Sequence, residues 1–111
     1  MIQKRPIGGG TGAPIAIAVA GTVVHTLDAS ATKDGGPYMD EVTLFLHNIT
    51  AFAAVATVAV TGGSSILVTV AARTILLVLD EEPYRLSGGT ITVSGGGQGS
   101  DFVAWGWFTR S

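Results

Sequence analysis

The sequence predicts an all-β protein: a single-domain antiparallel β-sandwich, jelly-roll-like or immunoglobulin-like, with an extended N-terminal arm. Three observations carry this expectation. Short runs rich in β-branched and aromatic residues recur along the chain. Clusters of Gly, Pro, Asp, Asn and Ser separate them at intervals of about 7 to 15 residues. No segment repeats its apolar residues with the 3.6-residue period of an amphipathic helix.

Residues 1–20 read as the arm, with the sandwich occupying 21–111. Pro6, the run Gly8-Gly9-Gly10-Thr11-Gly12 and Pro14 oppose a regular element there. Such a segment reads either as a disordered tail or as an extended strap that orders on a neighbouring surface, as assembly arms do. Its contact residues would be Ile2, Lys4, Arg5, Pro6, Ile7, Pro14, Ile15 and Ile17.

Residues 22–27 form the first expected strand, and ASATKDGGP (29–37) is turn chemistry. In 41–47, Val42, Leu44 and Leu46 alternate with Glu41, Thr43, Phe45 and His47, as in a half-buried strand. Residues 54–60 and 66–70, joined through Gly62-Gly63-Ser64-Ser65, have the form of a β-hairpin. The nearly continuous apolar run 73–79 suggests a strand buried on both faces, ended by Asp80-Glu81-Glu82-Pro83. A short strand over 90–93, a glycine-rich loop over 94–100 and a last strand over 102–109 complete the series.

That last strand places Val103, Trp105 and Trp107 on one face and Phe102, Ala104 and Phe108 on the other. Both faces are apolar. One can fill the sandwich, and the other is then a candidate subunit interface, with Arg73 as a further interface residue.

Composition points the same way. Of 111 residues, 47% are hydrophobic and only 13% charged, with a mean hydropathy of +0.49. A globular chain ordinarily carries about twice that share of charge. So little polar material favours burial against copies or partners. The net charge of −2 does not supply the basic footprint of a nucleic-acid-binding protein. Without cysteine there are no disulfides, zinc thiolates or thiol nucleophiles. The uncharged stretch 42–61 is long enough to cross a bilayer as a helix, but its β-branched residues, His47 and Asn48 favour two strands. The apolar run before Ala18-Val19-Ala20 is too broken by glycine and proline for a secretory signal.

No catalytic constellation emerges. Asp40-Glu41 and Asp80-Glu81-Glu82 read as solvated carboxylates at strand edges, and His25 and His47 lack metal-ligand spacing. Gly95-Gly96-Gly97-Gln98-Gly99 is not a phosphate loop, because a strand follows it and no lysine is near. No cofactor and no metal are expected. Tyr38, Tyr84, Trp105 and Trp107 could instead stack on sugar rings, which makes a carbohydrate-binding module the alternative reading. Arg73 and Arg110 are candidates to pair with Asp80–Glu82 across an interface.

Gly21-Thr22-Val23-Val24-His25-Thr26, followed by Asp40-Glu41-Val42-Thr43-Leu44-Phe45-Leu46-His47-Asn48, resembles a group of small tailed-phage virion proteins. These carry a "GTxIHT" strand, a "DEVxLYxxN" strand and a "TIPAxSG" step. Val68-Thr69-Val70-Ala71-Ala72-Arg73-Thr74 stands in the last place, with alanine for proline and threonine for glycine. The resemblance covers roughly 21–111. It implies a capsid-associated β-sandwich protein, such as a decoration (cement) protein or a head-spike base, and no enzymatic activity. The partners it implies are the major capsid protein or other virion proteins and further copies of the chain, as a trimer, without nucleic acid or membrane. The implied location is the virion capsid surface, after synthesis in the host cytoplasm. A tail or neck component of the same virion class is a further alternative.

Overall fold

The computed structural model describes residues 4–7, 13–26, 32–33, 36–37, 39–61, 63, 65–85, 89–95 and 101–110, with side chains for all of these except 32–33, 36–37 and 84–85. Among them are eleven strands: β1 (Lys4–Pro6), β2 (Ile15–Ile17), β3 (Thr22–Thr26), β4 (Thr32–Lys33), β5 (Gly36–Pro37), β6 (Met39–Asn48), β7 (Ala54–Val60), β8 (Ile66–Val70), β9 (Ile75–Arg85), β10 (Thr90–Gly95) and β11 (Phe102–Arg110). A large sheet runs β1-β11-β6-β9, with β2 also on β11, and a small sheet runs β3-β10-β7-β8. β4 and β5 pair only with each other.

The pairings nest. β7 pairs with β8, β6 with β9, β3 with β10, and β1 and β2 with β11, all antiparallel. The chain is therefore one long hairpin wound into two sheets. Of the two expected sandwich types, this is the jelly-roll order rather than the immunoglobulin order.

The core lies between the sheets and follows from alternation. On β6, Val42, Leu44 and Leu46 point inward and are buried. Ile17, Phe102, Ala104 and Leu79 join them from the large sheet, and Val24, Ala56, Val58, Val70, Ile91 and Val93 face them from the small one. Each of the larger side chains removed from water here contributes about 1.5–3 kcal/mol.

Three expectations are corrected. First, residues 4–7 and 13–17 do not form a free arm. β1 and β2 lie end to end along β11, with Lys4 opposite Thr109 and Ile17 opposite Phe102. Ile7 and Ile17, read as partner contacts, are core residues, 3% and 0% exposed. Pro6 is tolerated because an edge strand can do without one donor. Ile2 lies outside the described residues, as do the glycine run 8–12 and Tyr38.

Second, 73–79 is not a strand buried on both faces. β9 is an edge strand, and Ile75 and Leu77 are 52% and 43% exposed. Third, Asp80-Glu81-Glu82-Pro83 does not end it. β9 continues to Arg85 through register shifts against β6 around Thr43 and Leu44, with Glu81 at φ 54°. A bulge absorbs the carboxylates, and an edge absorbs the proline.

At the far end of β6, Asn48 is fully buried and fastens the following loop. Its amide donates to the carbonyls of Phe52 (2.8 Å) and Val70 (3.0 Å). Its carbonyl accepts from the Thr50 amide (2.9 Å) and hydroxyl (2.7 Å). The stretch 42–61 divides between β6 and β7, in different sheets.

Candidate functional site

The outer face of the large sheet presents most of the residues singled out from the sequence. Alternation along β11 turns Val103, Trp105 and Trp107 outward while Phe102 and Ala104 fill the core. The β6 and β9 registers complete cross-strand rows. His47 stands between Val103 and Ile75, and Phe45 between Trp105 and Leu77, while Thr43 lies opposite Trp107. Directly opposed side chains touch in such rows. The Phe45 and Trp105 rings are stacked at 5.8 Å, Phe45 and Trp107 are tilted at 5.7 Å, and His47 meets Trp105 edge-on at 6.3 Å. Mutual packing leaves the four rings half-buried.

Among the described residues, the His47 and Phe45 rows of this face carry no Asp, Glu, Lys or Arg, and Glu81 borders the Thr43 row. Charge begins at its margin, where Lys4 Nζ lies over the Trp107 ring at 5.1 Å. Pro6 and Ala16 border the face opposite Trp107 and Val103. Lys4 and Pro6, expected in an arm, are thus margin residues of this face. Arg5 is exposed opposite Phe108, Ile15 is half-buried opposite Ala104, and Pro14 is exposed just ahead of β2. Arg73 lies off the face, exposed in the turn before β9, where its amide donates to the Thr50 carbonyl.

Gly106, between the two tryptophans, allows the strands to meet. A Cβ there would run into the Thr43 carbonyl oxygen and crowd Leu44 Cα. Only glycine fits.

A second constellation is not anticipated by the sequence reading. Asp40, expected on the surface, is fully buried on β6. Its two oxygens accept from Arg110 Nε (2.9 Å) and Nη2 (3.2 Å), and Oδ2 is 2.8 Å from His25 Nε2. Arg110, offered as a partner for Asp80–Glu82 across an interface, pairs instead within the chain. His25 packs on Phe108 at 4.5 Å, and the Arg110 guanidinium lies over the same ring at 5.4 Å.

The signal was parity. Asp40 shares the inward phase of Val42, Leu44 and Leu46, and Arg110 shares that of Phe102 and Ala104. His25 is buried beside Val24 because β3 shifts register by one residue there against β10. The cluster joins β3 of the small sheet to β6 and β11 of the large one. With both carboxylate oxygens engaged, it suits a clamp between sheets.

Among the described residues no three His, Asp or Glu side chains are grouped to hold a metal ion, and no helix is long and apolar enough to cross a membrane. Comparison with family models, curated proteins and solved structures returned no match.

Proposed function

We propose that the protein is a structural component of a tailed-phage or phage-like particle, a decoration (cement) protein seated on the capsid surface. The observation that carries this reading is the uncharged outer face built by Phe45, His47, Ile75, Leu77, Val103, Trp105 and Trp107. A sheet apolar on both sides resembles a core cut in half, which is how permanent subunit contacts are built. The low charge of the whole chain and the resemblance of 21–26 and 40–48 to phage virion strands support the same reading.

The mechanism is additive. Each copy buries its aromatic face against a sister subunit or the capsid lattice, and many such contacts raise the work needed to open a shell under internal pressure. Trimeric association suits the local three-fold positions of a capsid lattice. The partners are the major capsid protein and further copies of the chain, and the site calls for neither cofactor nor catalytic residue.

The test is co-sedimentation of the purified chain with undecorated tailed-phage capsids, alongside its native mass by light scattering. Binding that Trp107→Ala abolishes while the fold is retained supports the proposal. A monomer that ignores capsids overturns it. The alternative is a carbohydrate-binding module, favoured by the cation and imidazole that flank the tryptophans at Lys4 and His47. A glycan-array signal lost in Trp107→Ala, without capsid binding, selects that alternative.

A further inference from the structure

Among the described residues β9 is the outermost strand of the large sheet, so one side of its backbone points away from β6. Exposed edges invite pairing with another chain, and proteins blunt them with short strands, lysine, proline, charge or bulges. The opposite edge of this sheet follows that rule. It is split into three-residue β1 and β2 and carries Lys4, Arg5 and Pro6.

β9 carries charge and proline over only half its length. Its distal part has Asp80, Glu81, Glu82, Pro83 and the bulge at Glu81. Its proximal part, Ile75 to Leu79, reads ILLVL, with no charge, proline or glycine, and its register against β6 shifts by one residue at Val78. Ile75 and Leu77 are exposed there, on the same face as Phe45 and Trp105.

The charges bracket this open stretch with opposite signs: Arg73 precedes it, and Asp80, Glu81 and Glu82 follow it. All four side chains are exposed. A strand positive at its start and negative at its end is complementary to itself, but only when reversed.

We propose that the Ile75–Leu79 edge of β9 pairs antiparallel with the same edge of a second copy, about a two-fold axis near Leu76 and Leu77. Arg73 and Glu81 lie equally far from Leu77 in sequence, four residues to either side. Pairing there sets Arg73 of each copy against the Asp80–Glu82 cluster of the other. A two-fold axis normal to the sheet keeps outer faces together, so the two aromatic faces become one continuous surface. The contact is isologous and closes on itself as a dimer. It does not depend on the particle reading, and a three-fold ring would need a different interface.

The experiment is sedimentation equilibrium of the full chain from micromolar to submillimolar concentration, in low and in high salt. The expected result is a reversible monomer–dimer step, weaker in high salt because the bracketing charges are exposed. Leu77→Lys, which places a charge on the open edge, should weaken it at least about tenfold. Arg73→Glu should weaken it also, and Arg73→Glu combined with Glu81→Arg should restore it. Both positions have φ 54°, so the exchange leaves the backbone demand unchanged. Amide exchange at 75–79 should slow as concentration rises. A single mass throughout, or a dimer indifferent to Leu77→Lys and to the charge reversals, overturns the proposal. Trp107→Ala separates the two readings: it should abolish capsid binding and leave this dimer intact.

Discussion

Arg110 holds Asp40 from the neighbouring strand through Nε and Nη2, at 2.9 and 3.2 Å, and the carboxylate they grip has no exposure to solvent. A charge so placed depends on its partners. Asp40→Ala removes the buried carboxylate that both Arg110 and His25 bind, and the expected loss is about 3 kcal/mol. The urea midpoint should fall with an unchanged slope. A double cycle with Arg110→Ala should recover part of the loss as coupling. A loss below about 0.5 kcal/mol would contradict the clamp between sheets.

Gly106→Ala tests the close approach of β11 and β6. The added methyl meets the Thr43 backbone, which cannot swing aside as a side chain can. Destabilisation of about 3 kcal/mol or more is expected, read by thermal unfolding. Loss of the near-ultraviolet signal of Trp105 and Trp107 should accompany it, because those rings flank the glycine.

Asn48→Ala removes four hydrogen bonds at one buried point, taking a donor from the carbonyls of Phe52 and Val70 and an acceptor from Thr50. A cost of about 2–4 kcal/mol is expected. Hydrogen exchange should locate the damage, with the Thr50 and Arg73 amides losing protection before those of the central strands. Uniform loss across both sheets would show that Asn48 does not act locally.

Glu81→Gly acts in the other direction. Glu81 holds a left-handed backbone that disfavours any side chain, and the bond that fixes the bulge comes from its amide to the Thr43 hydroxyl, which glycine retains. Relief of strain offset by the freer unfolded chain should leave the monomer unchanged or more stable by up to about 1 kcal/mol. The same variant should weaken self-association, so stability and dimerisation should move apart.

Alternation made much of this protein legible. The inward phase of Val42, Leu44 and Leu46, the β7–β8 hairpin and the two apolar faces of β11 can all be read with a period of two. The same phase includes Asp40, Asn48 and Arg110, but a charged or amide side chain near a strand end reads as surface unless a partner can be named. Those partners come from β3, from the loop after β6 and from the far end of the chain, which no local window joins. β9 misled for a related reason: ILLVL reads the same in a buried central strand and in an edge strand that has something to pair with. The glycines and prolines of the first twenty residues were read as one irregular arm, yet three residues on either side of the 8–12 run suffice for edge strands.

The nested pairing has a consequence for synthesis. β11 lies between β6 and the β1–β2 edge, and it leaves the ribosome after the other ten described strands. Until Arg110 has emerged, β1 and β2 have no strand to pair with, and Asp40 waits for its guanidinium. The small sheet can form once β10 has emerged, nucleated by the local β7–β8 turn, but the large sheet is completed only when β11 follows, by contacts between strands far apart in sequence. The aromatic face, which needs β11 beside β6, is therefore assembled last, and a nascent chain cannot use it to bind a neighbour before its own core is complete.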